Sequence, residues 1–259
     1  MPDIASSITP PAGRSISDRL IVALDLESVE AARKAVKQLD GIVSFFKIGL
    51  WLQFAPGVDD LIGGLIADGK KVFLDAKMYD IPETVSRAVA VAAKRQVGFV
   101  TVHGDEAILR AASRAREGSD LKVFAVTVLT SLDDAALHSL GYRLGAQDLV
   151  QLRAAAAAAC GCDGIIASAF DNPDGIRSLA GKADLLIATP GVRMAGDATH
   201  DHKRGATPSQ AIESGADYLV IGRPIIQDPD PAAKARRFVA EMEDGQRKRD
   251  AARGGPEQS

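Results

Sequence analysis

The sequence is poor in cysteine, in aromatic residues and in net charge. It has two cysteines, 5% aromatic residues and a formal net charge of −3 over 259 residues. Cys160 and Cys162 form a Cys-Gly-Cys with no further ligand at metal spacing, so we interpret them as reduced thiols and not as a zinc site. A nearly balanced charge favours neither a nucleic-acid surface nor an anionic membrane.

Long apolar runs are missing as well. No run approaches the roughly 20 residues that a helix needs to span a bilayer. The first residues, MPDIASSITPPAGRS, are polar and proline-containing, without the apolar centre of a signal peptide. These absences predict a cytoplasmic protein that does not act on a membrane.

Short aliphatic runs, by contrast, are plentiful, and longer amphipathic stretches separate them. The runs are rich in Val, Ile and Phe, which is typical of buried parallel strands. They are Leu20–Leu24, Ile42–Ile48, Lys71–Leu74, Gly98–Val102, Leu121–Val128, Gly164–Ala167, Leu185–Ala188 and Tyr218–Ile221. Among the intervening stretches, Ser28–Leu39 and Asp148–Ala159 have strong helical patterns.

Eight strand and helix units in a chain of this length predict an α/β fold, a closed (β/α)8 TIM barrel in a single domain. A doubly wound open sheet is the alternative. It usually has fewer strands, and no glycine-rich dinucleotide motif follows the first run. We predict a barrel over residues 16–243 and a flexible segment over 1–15. The charged, glycine-containing tail over 244–259 is predicted to be disordered.

Polar residues close most of the runs, and the active site of such barrels lies at the carboxyl ends of the strands. These residues are Asp25, Lys47, Asp75, Lys77, His103, Thr130, Arg193, Gly222 and Arg223. A long polar segment follows Gly191 and is predicted to be a loop. The carboxyl ends of the strands are therefore the predicted location of the chemistry.

Alternation along the strands groups some of these residues by face. The three predicted faces are Ile21, Ala23 and Asp25; Val43, Phe45 and Lys47; and Phe73, Asp75 and Lys77. If these faces point inward, two lysines and two aspartates converge at the barrel mouth. Alternating signs would satisfy the requirement that buried charges be paired.

Each residue alone also has a simpler interpretation. A single Asp or Lys after a strand is commonly a turn residue. Asp80, with Glu83 three residues later, fits a capping box that opens the next helix. Gly222 and Arg223 suit either a turn or an anion site at the end of the eighth strand.

Residues 75–84, DAKMYDIPET, resemble the Asp-x-Lys-x-x-Asp-Ile-Pro-x-Thr signature of bacterial orotidine 5′-monophosphate decarboxylases. The resemblance extends from Leu20 to about Ile226. It includes the Phe-Lys47-Ile-Gly, Thr-Pro-Gly-Val-Arg193 and Ile-Gly222-Arg223-Pro patterns. It implies a homodimeric enzyme that converts orotidine monophosphate to uridine monophosphate without metal or cofactor.

The resemblance also implies roles in the chemistry. Lys77 is similar to the acid that protonates C6 of the pyrimidine, and Asp75 to the carboxylate beside the substrate carboxylate. Asp25 and Lys47 are similar to residues of the ribose-contacting charge network. Asp80, an expected member of the catalytic set, reaches the neighbouring subunit's site together with Ile81 and Thr84.

The remaining implied contacts hold the substrate. Thr130, with Ser131 next to it, is similar to the residue that contacts the pyrimidine. Arg193, Gly222 and Arg223 match phosphate-binding positions. His202 stands where relatives have a glutamine that bridges pyrimidine and phosphate, and a histidine cannot reproduce both the donor and the acceptor of an amide. His202 is therefore either a substrate contact or a solvated loop residue.

Two other functions remain open at this point. Metal-dependent sugar-phosphate barrels share the Asp-x-Lys-x-x-Asp core, but they use additional acidic ligands, and here the second strand ends in Lys47. A non-catalytic nucleotide-binding barrel would account for the change at His202, although Asp75 and Lys77 are both present. Tyr79 and Glu83 also depart from the histidine and asparagine that are common in relatives.

Overall fold

The computed structural model describes residues 15–196 and 206–253. Within these residues, eight parallel strands close into one barrel in sequence order, and the last pairs with the first. The strands are β1 (Leu20–Ala23), β2 (Phe45–Gly49), β3 (Lys71–Met78), β4 (Phe99–Val102), β5 (Lys122–Val126), β6 (Gly164–Ile166), β7 (Leu186–Pro190) and β8 (Tyr218–Ile221). The predicted (β/α)8 barrel is confirmed.

Helices follow the strands and cover the outside of the barrel. They are α1 (Val29–Gln38), α2 (Leu50–Gln53), α3 (Val58–Ala67), α4 (Pro82–Lys94), α5 (Glu106–Ala115), α6 (Asp134–Ser139), α7 (Ala146–Ala159), α8 (Pro173–Ala180), α9 (Pro208–Glu213), α10 (Arg223–Ile226) and α11 (Pro231–Arg253). The two stretches with strong helical patterns are α1 and α7. Ser28 caps α1 by accepting a hydrogen bond from the Ala31 N–H.

Alternate strand residues build two separate cores. The inner core fills the barrel and consists of Ile21, Ala23, Phe45, Phe73, Phe99, Phe124, Ala188, Tyr218 and Val220. The outer core, between strands and helices, takes the intervening residues, such as Val22 and Phe46. The inward faces predicted for the first three strands are therefore correct at their apolar positions. Val43 is the exception, because it precedes β2 and packs in the outer core.

Packed aromatic rings fill the interior of the barrel. The ring centroid of Phe99 lies 4.8 Å from that of Phe45, 4.5 Å from that of Phe124 and 5.0 Å from that of Tyr218. Each of these side chains is at least 95% buried. Side chains thus fill the middle of the barrel and leave no room for a ligand at this level.

The C-terminal helix corrects the prediction for the tail. Residues 244–253 are helical as the last part of α11, and residues 254–259 lie outside the described residues, as do residues 1–14. Phe238, Met242 and Gly245 are buried along one side of α11. A Cβ on Gly245 would overlap the backbone of Ser209, so this glycine permits α11 to pack closely on α9. Within the described ranges, no helix is long and apolar enough to cross a membrane.

Candidate active site

Four charged side chains of alternating sign form a row at the carboxyl ends of the first three strands. Lys47 Nζ lies 3.0 Å from Asp25 Oδ1 and 3.3 Å from Asp75 Oδ2. Lys77 Nζ lies 2.7 Å from Asp75 Oδ1. We call Asp25, Lys47, Asp75 and Lys77 the charged row. The predicted convergence of two lysines and two aspartates is therefore what the fold brings about.

Strand register explains why the row forms. Lys47 pairs with Ala23 and Phe73 of the inner core, and Asp25 and Asp75 each follow one of these residues by two positions. The long side chain of Lys47 therefore reaches its ammonium between the two carboxylates. The side chain of Lys47 is 9% exposed and that of Asp75 14%, whereas those of Asp25 and Lys77 are 47% and 41% exposed. The two buried members neutralise each other, and the outer members face the solvent side of the mouth.

Asp75 is the electrostatic centre of the row. Burial raises its pKa, but Lys47 and Lys77 and hydrogen bonds from Lys77 and Thr101 outweigh burial and hold the pKa below its ordinary value. Asp75 is therefore a carboxylate at neutral pH. A permanent negative charge thus sits directly beside the most accessible ammonium of the row.

A bulge in β3 brings Lys77 to this position. Leu74 pairs with Val100, but the next pairing joins Met78 to Val102, so the register shifts between them. Lys77 has a φ of +45°, in the left-handed region that non-glycine residues rarely adopt. In regular pleating Lys77 would share the face of Asp75 but lie further along the strand; the bulge turns its ammonium back onto Asp75.

Gly49, the last residue of the Phe-Lys47-Ile-Gly pattern, has a steric role in the site that the pattern alone did not indicate. A Cβ at Gly49 would overlap Asp25 Oδ1 and would lie 3.3 Å from Lys47 Nζ. Only glycine leaves room for the Asp25 carboxylate against the end of β2. No sequence signal beyond the position of this glycine after Lys47 could have shown this.

A cavity of about 150 Å³ opens beside the row. Its walls combine the charged groups Lys47, Asp75 and Lys77 with a mainly apolar set: Phe73, Val126, Val128, Leu129, Thr130, Ile166, Pro190 and Val220. A larger cavity of about 430 Å³ shares Val128, Leu129, Thr130 and Pro190, and Ser131 also lines it. Thr130 lines both cavities, while Ser131 lines only the larger one.

The three predicted phosphate-binding residues lie at the ends of β7 and β8. The Arg193 N–H donates to the Ala206 carbonyl at 3.1 Å, which holds the backbone after β7 to the segment that precedes α9. Gly222 lies over β1: a Cβ there would be 3.4 Å from the Cβ of Ala23 and 3.7 Å from Asp25 Oδ2. Arg223 follows as the exposed first residue of α10. Gly222 thus adjoins the charged row.

The segment after β3 differs from the capping prediction. The N-cap of α4 is Ile81 and not Asp80, and it makes no side-chain capping bond. Asp80 accepts a hydrogen bond from the adjacent Ile81 N–H at 2.6 Å, and Glu83 pairs with Arg87. The capping-box interpretation is wrong because Pro82, at the first helical position, starts the helix one residue later.

Asp80, Ile81 and Thr84 are exposed in the single chain. None of the three lines either cavity that the described residues form around the row. His202 lies outside the described residues, so its predicted contact remains a prediction. The single chain thus brings together the Asp25, Lys47, Asp75, Lys77 and Thr130 part of the predicted site, with Gly222 beside it.

Tyr79 and His103 form an aromatic contact next to the bulge. Their ring centroids lie 5.5 Å apart in an edge arrangement. Burial, reinforced by nearby Arg153, lowers the pKa of His103, so this imidazole is neutral at neutral pH. A neutral ring against Tyr79 supports the segment that follows Lys77 without adding charge to the row.

The carboxylates of the charged row form ion pairs with its lysines. Asp25 pairs with Lys47, and Asp75 pairs with both Lys47 and Lys77. Across residues 15–196 and 206–253, no group of three or more His, Cys, Asp or Glu side chains is placed to hold a metal ion. A divalent cation at Asp75 would have to compete with two ammonium groups, so the donor set fits an anionic substrate better than a metal.

Comparisons with known proteins identify the family of the chain. The family model described as Orotidine 5′-phosphate decarboxylase / HUMPS family matches residues 18–238. The chain is 47% identical over 230 residues to the orotidine 5′-phosphate decarboxylase of Nitrobacter winogradskyi, covering 89% of this chain and 95% of the relative. It is 43% identical over 247 residues to that of Methylococcus capsulatus, covering 94% and 98%.

A solved structure matches as well. The crystal structure of orotidine 5′-phosphate decarboxylase from Lactobacillus acidophilus aligns with a TM-score of 0.76 and 34% identity, over 87% of this chain and 99% of the other. The match therefore extends from sequence to the arrangement of the barrel. The chain belongs to the orotidine 5′-phosphate decarboxylase / HUMPS family.

Proposed function

We propose that this chain converts orotidine 5′-monophosphate to uridine 5′-monophosphate and CO2 without a metal or an organic cofactor. The charged row beside a cavity is the observation that carries the proposal. The relatives named as this decarboxylase, which align over 87% or more of the chain, favour it over the sugar-phosphate enzymes of the same family. The reaction would be a step of pyrimidine nucleotide synthesis.

Lys77 supplies the proton in this mechanism. The bond from C6 to the carboxylate breaks, CO2 leaves, and the electron pair that stays on C6 takes a proton from the Lys77 ammonium. A fixed cation beside C6 stabilises the developing negative charge more than it stabilises the substrate. Asp75 holds Lys77 Nζ at 2.7 Å, so this cation is in place before the substrate binds.

Asp75 acts on the substrate carboxylate. Its low pKa keeps it charged, and two like charges about 4 Å apart repel by about 4 kcal/mol at an effective dielectric near 20. Departure of CO2 removes that repulsion. Lys47, between Asp25 and Asp75, keeps both carboxylates in position and contributes with Asp25 to the ribose side of the site.

The other end of the substrate is held far from C6. We assign the phosphate to Arg193, Gly222 and Arg223, the pyrimidine to Thr130, and a bridging contact to His202. Binding energy from a phosphate remote from the reacting atom raises turnover when it orders the site around the substrate. A phosphate held in this way would align C6 with Lys77.

A homodimer would complete the site. Asp80, Ile81 and Thr84 are proposed to reach the partner's cavity, which accounts for their exposure in one chain. Trp51 and Phe54, at or next to α2, are also exposed at 61% and 82%. Sedimentation measures the dimer, and mixing Lys77→Ala with Asp80→Asn tests sharing: recovered turnover supports shared sites, and none in a proven mixed dimer contradicts them.

We propose the cytoplasm as the compartment. The two cysteines, Cys160 and Cys162, are free and buried, which is typical of a reducing environment. Cell fractionation with an antibody against the chain tests this, and recovery in another compartment contradicts it.

The reaction is tested by ultraviolet absorbance of the purified chain with orotidine monophosphate, with and without a chelator. We expect loss of the substrate absorbance at the same rate in both samples. Turnover that requires added Mg²⁺ would favour the sugar-phosphate relatives. Tight binding of uridine monophosphate without turnover, in folded protein, would favour a binding-only barrel.

A further inference from the structure

Thr101 on β4 makes two hydrogen bonds that connect the principal residues of the site. Its side chain faces inward, since Val100 and Val102 beside it belong to the outer core, and the residue is fully buried. Thr101 Oγ1 accepts a hydrogen bond from the Lys77 backbone N–H at 2.9 Å and donates one to Asp75 Oδ1 at 2.9 Å. No sequence motif points to Thr101, because it lies within an apolar run.

The direction of these two bonds is fixed by chemistry. An amide N–H can only donate, and an ionised carboxylate can only accept. The single hydroxyl proton of Thr101 must therefore point at Asp75, while its lone pair receives the Lys77 N–H. One hydroxyl thus fixes the Asp75 carboxylate and the Lys77 backbone relative to each other.

The hydrogen bond from the Lys77 N–H to Thr101 lies at the bulge in β3, where the ladder between β3 and β4 is irregular. Between the pairing of Leu74 with Val100 and that of Met78 with Val102, the regular ladder is interrupted. Lys77 there holds a left-handed φ of +45°, a conformation that is strained for a non-glycine residue and persists only where the surrounding structure stabilises it. The Thr101 hydroxyl provides the Lys77 N–H with the partner that the interrupted ladder does not.

We propose that Thr101 is a positioning residue for the decarboxylation: it holds the Lys77 backbone in its left-handed conformation and orients Asp75, so that ammonium and carboxylate face the substrate together. This inference rests on the proposed function. Thr101 lines neither cavity and so acts through Lys77 and Asp75 and not by touching the substrate.

Thr127 on the neighbouring segment provides a matched control. It is also fully buried, and its hydroxyl donates to the Ile166 carbonyl at 2.7 Å. It follows β5, and its bond contacts no member of the charged row. Replacing either threonine with valine keeps the shape and removes one hydroxyl, so any loss of stability common to both variants is separated from a loss specific to the row.

The test compares Thr101→Val, Thr101→Ser and Thr127→Val with the wild-type chain. For Thr101→Val we expect kcat for orotidine monophosphate to fall by about tenfold or more, the effect of about one lost hydrogen bond to a charged group, and KM to change by less than about threefold. Thr101→Ser should restore most of the kcat, and Thr127→Val should keep it. A Thr101→Val enzyme with wild-type kcat, or a serine variant as slow as the valine variant, would overturn the inference.

A second readout does not depend on turnover. The Asp75 carboxylate faces Lys47 from β2, Lys77 from its own strand and Thr101 from β4, and Asp25, which follows β1, lies beyond Lys47. Loss of the Thr101 bond should raise the Asp75 pKa, measured by carboxyl NMR titration, in Thr101→Val and leave it unchanged in Thr127→Val. An unchanged Asp75 pKa in Thr101→Val contradicts the inference.

The experiment distinguishes failure of the proposed function from failure of this inference. A wild-type chain that does not decarboxylate orotidine monophosphate refutes the function, while the NMR titration still decides whether Thr101 orients Asp75. If Thr101→Val does not fold, Thr101→Cys keeps the volume with a weaker hydrogen-bonding group. Its kcat should then lie clearly below that of Thr101→Ser, and equality of the two would contradict the inference.

Discussion

The two ends of the barrel hold their charges in different ways. At the amino ends of the strands, Arg177 donates to the carbonyls of Leu185 and Gly215 and pairs with Asp174 and Asp217. Arg19 likewise donates to the Asp217 carbonyl at 2.7 Å. Both arginines are buried, and their forked guanidinium groups are tied to backbone as well as to carboxylates.

In the charged row at the carboxyl ends the cations are lysines, and they pair with side chains. Lys47 and Lys77 bind the carboxylates of Asp25 and Asp75 beside an open cavity. An ammonium is a compact charge on a flexible stem, whereas a guanidinium in a backbone fork is fixed. We conclude that the charges at the amino ends of the strands, the base of the barrel, hold the barrel together. The charges of the row at the carboxyl ends, the mouth, stay available to a ligand. Variants at the two ends can test this division of roles.

Removing Lys77 should give the largest effect at the mouth. We expect Lys77→Ala to lower kcat by about 10⁴-fold or more, because the proton donor and the cation beside C6 are lost together. Binding of uridine monophosphate, measured by calorimetry, should be mostly retained. Lys70→Ala, which removes a lysine paired with Asp40 before the same strand, is the control. Turnover within tenfold of the wild type would refute the proton-donor role.

Removing Arg177 should give the largest effect at the base. Arg177→Met leaves Asp217 buried without its ion-pair partner, so the free energy of unfolding should fall by about 3–5 kcal/mol, measured by urea denaturation. The kcat of the folded fraction should not change. Arg87→Met, which breaks an exposed pair with Glu83, should cost about 0.5 kcal/mol or less. A large kcat loss in folded Arg177→Met would contradict the division.

Arg223 tests whether the mouth recognises phosphate. Arg223→Ala should lower kcat/KM for the monophosphate by about 100-fold, the effect of one lost charge-assisted contact. The value for orotidine, which has no phosphate, should change little. Equal losses with both substrates would show that Arg223 does not act on the phosphate.

Gly49 tests the steric limit at the row. Gly49→Ala should displace the Asp25 carboxylate from Lys47 and lower kcat/KM by about tenfold. Gly63→Ala is the control, since a Cβ there meets nothing within 4 Å inside α3, and it should stabilise the chain by about 0.5–1 kcal/mol. Wild-type kinetics in Gly49→Ala would mean that Asp25 has room to move without consequence.

The smallest effect concerns pH. The folded pKa of Asp75 lies below the ordinary carboxyl value of about 3.9, so its stabilising contribution is complete above that value and is lost as the pH falls through the folded pKa. We therefore expect no change in kcat or stability from Asp75 between about pH 5 and 7. A carboxyl NMR titration that places Asp75 at or above the ordinary value would contradict this.

Much of the architecture could be predicted because it depends on local pattern. Strands at Leu20, Phe45 and Phe73 were recognisable from short aliphatic runs, and alternation along them put Lys47 and Asp75 on the inward face. The signature over residues 75–84 then indicated the family. Local polarity was misleading at the tail, where the charged, glycine-containing sequence predicted disorder. Gly245 is instead the point where α11 packs against α9.

The sequence by itself determined the order of eight βα units, the inward faces and the residue types at the mouth, because periodicity and composition are properties of neighbouring residues. Only the tertiary structure decided the left-handed Lys77, the Thr101 hydroxyl between Lys77 and Asp75, and the space that Gly49 leaves for Asp25. Those features arise between strands that are distant in the chain. Their geometry is set by the bulge and the register of the closed barrel, which no single segment encodes.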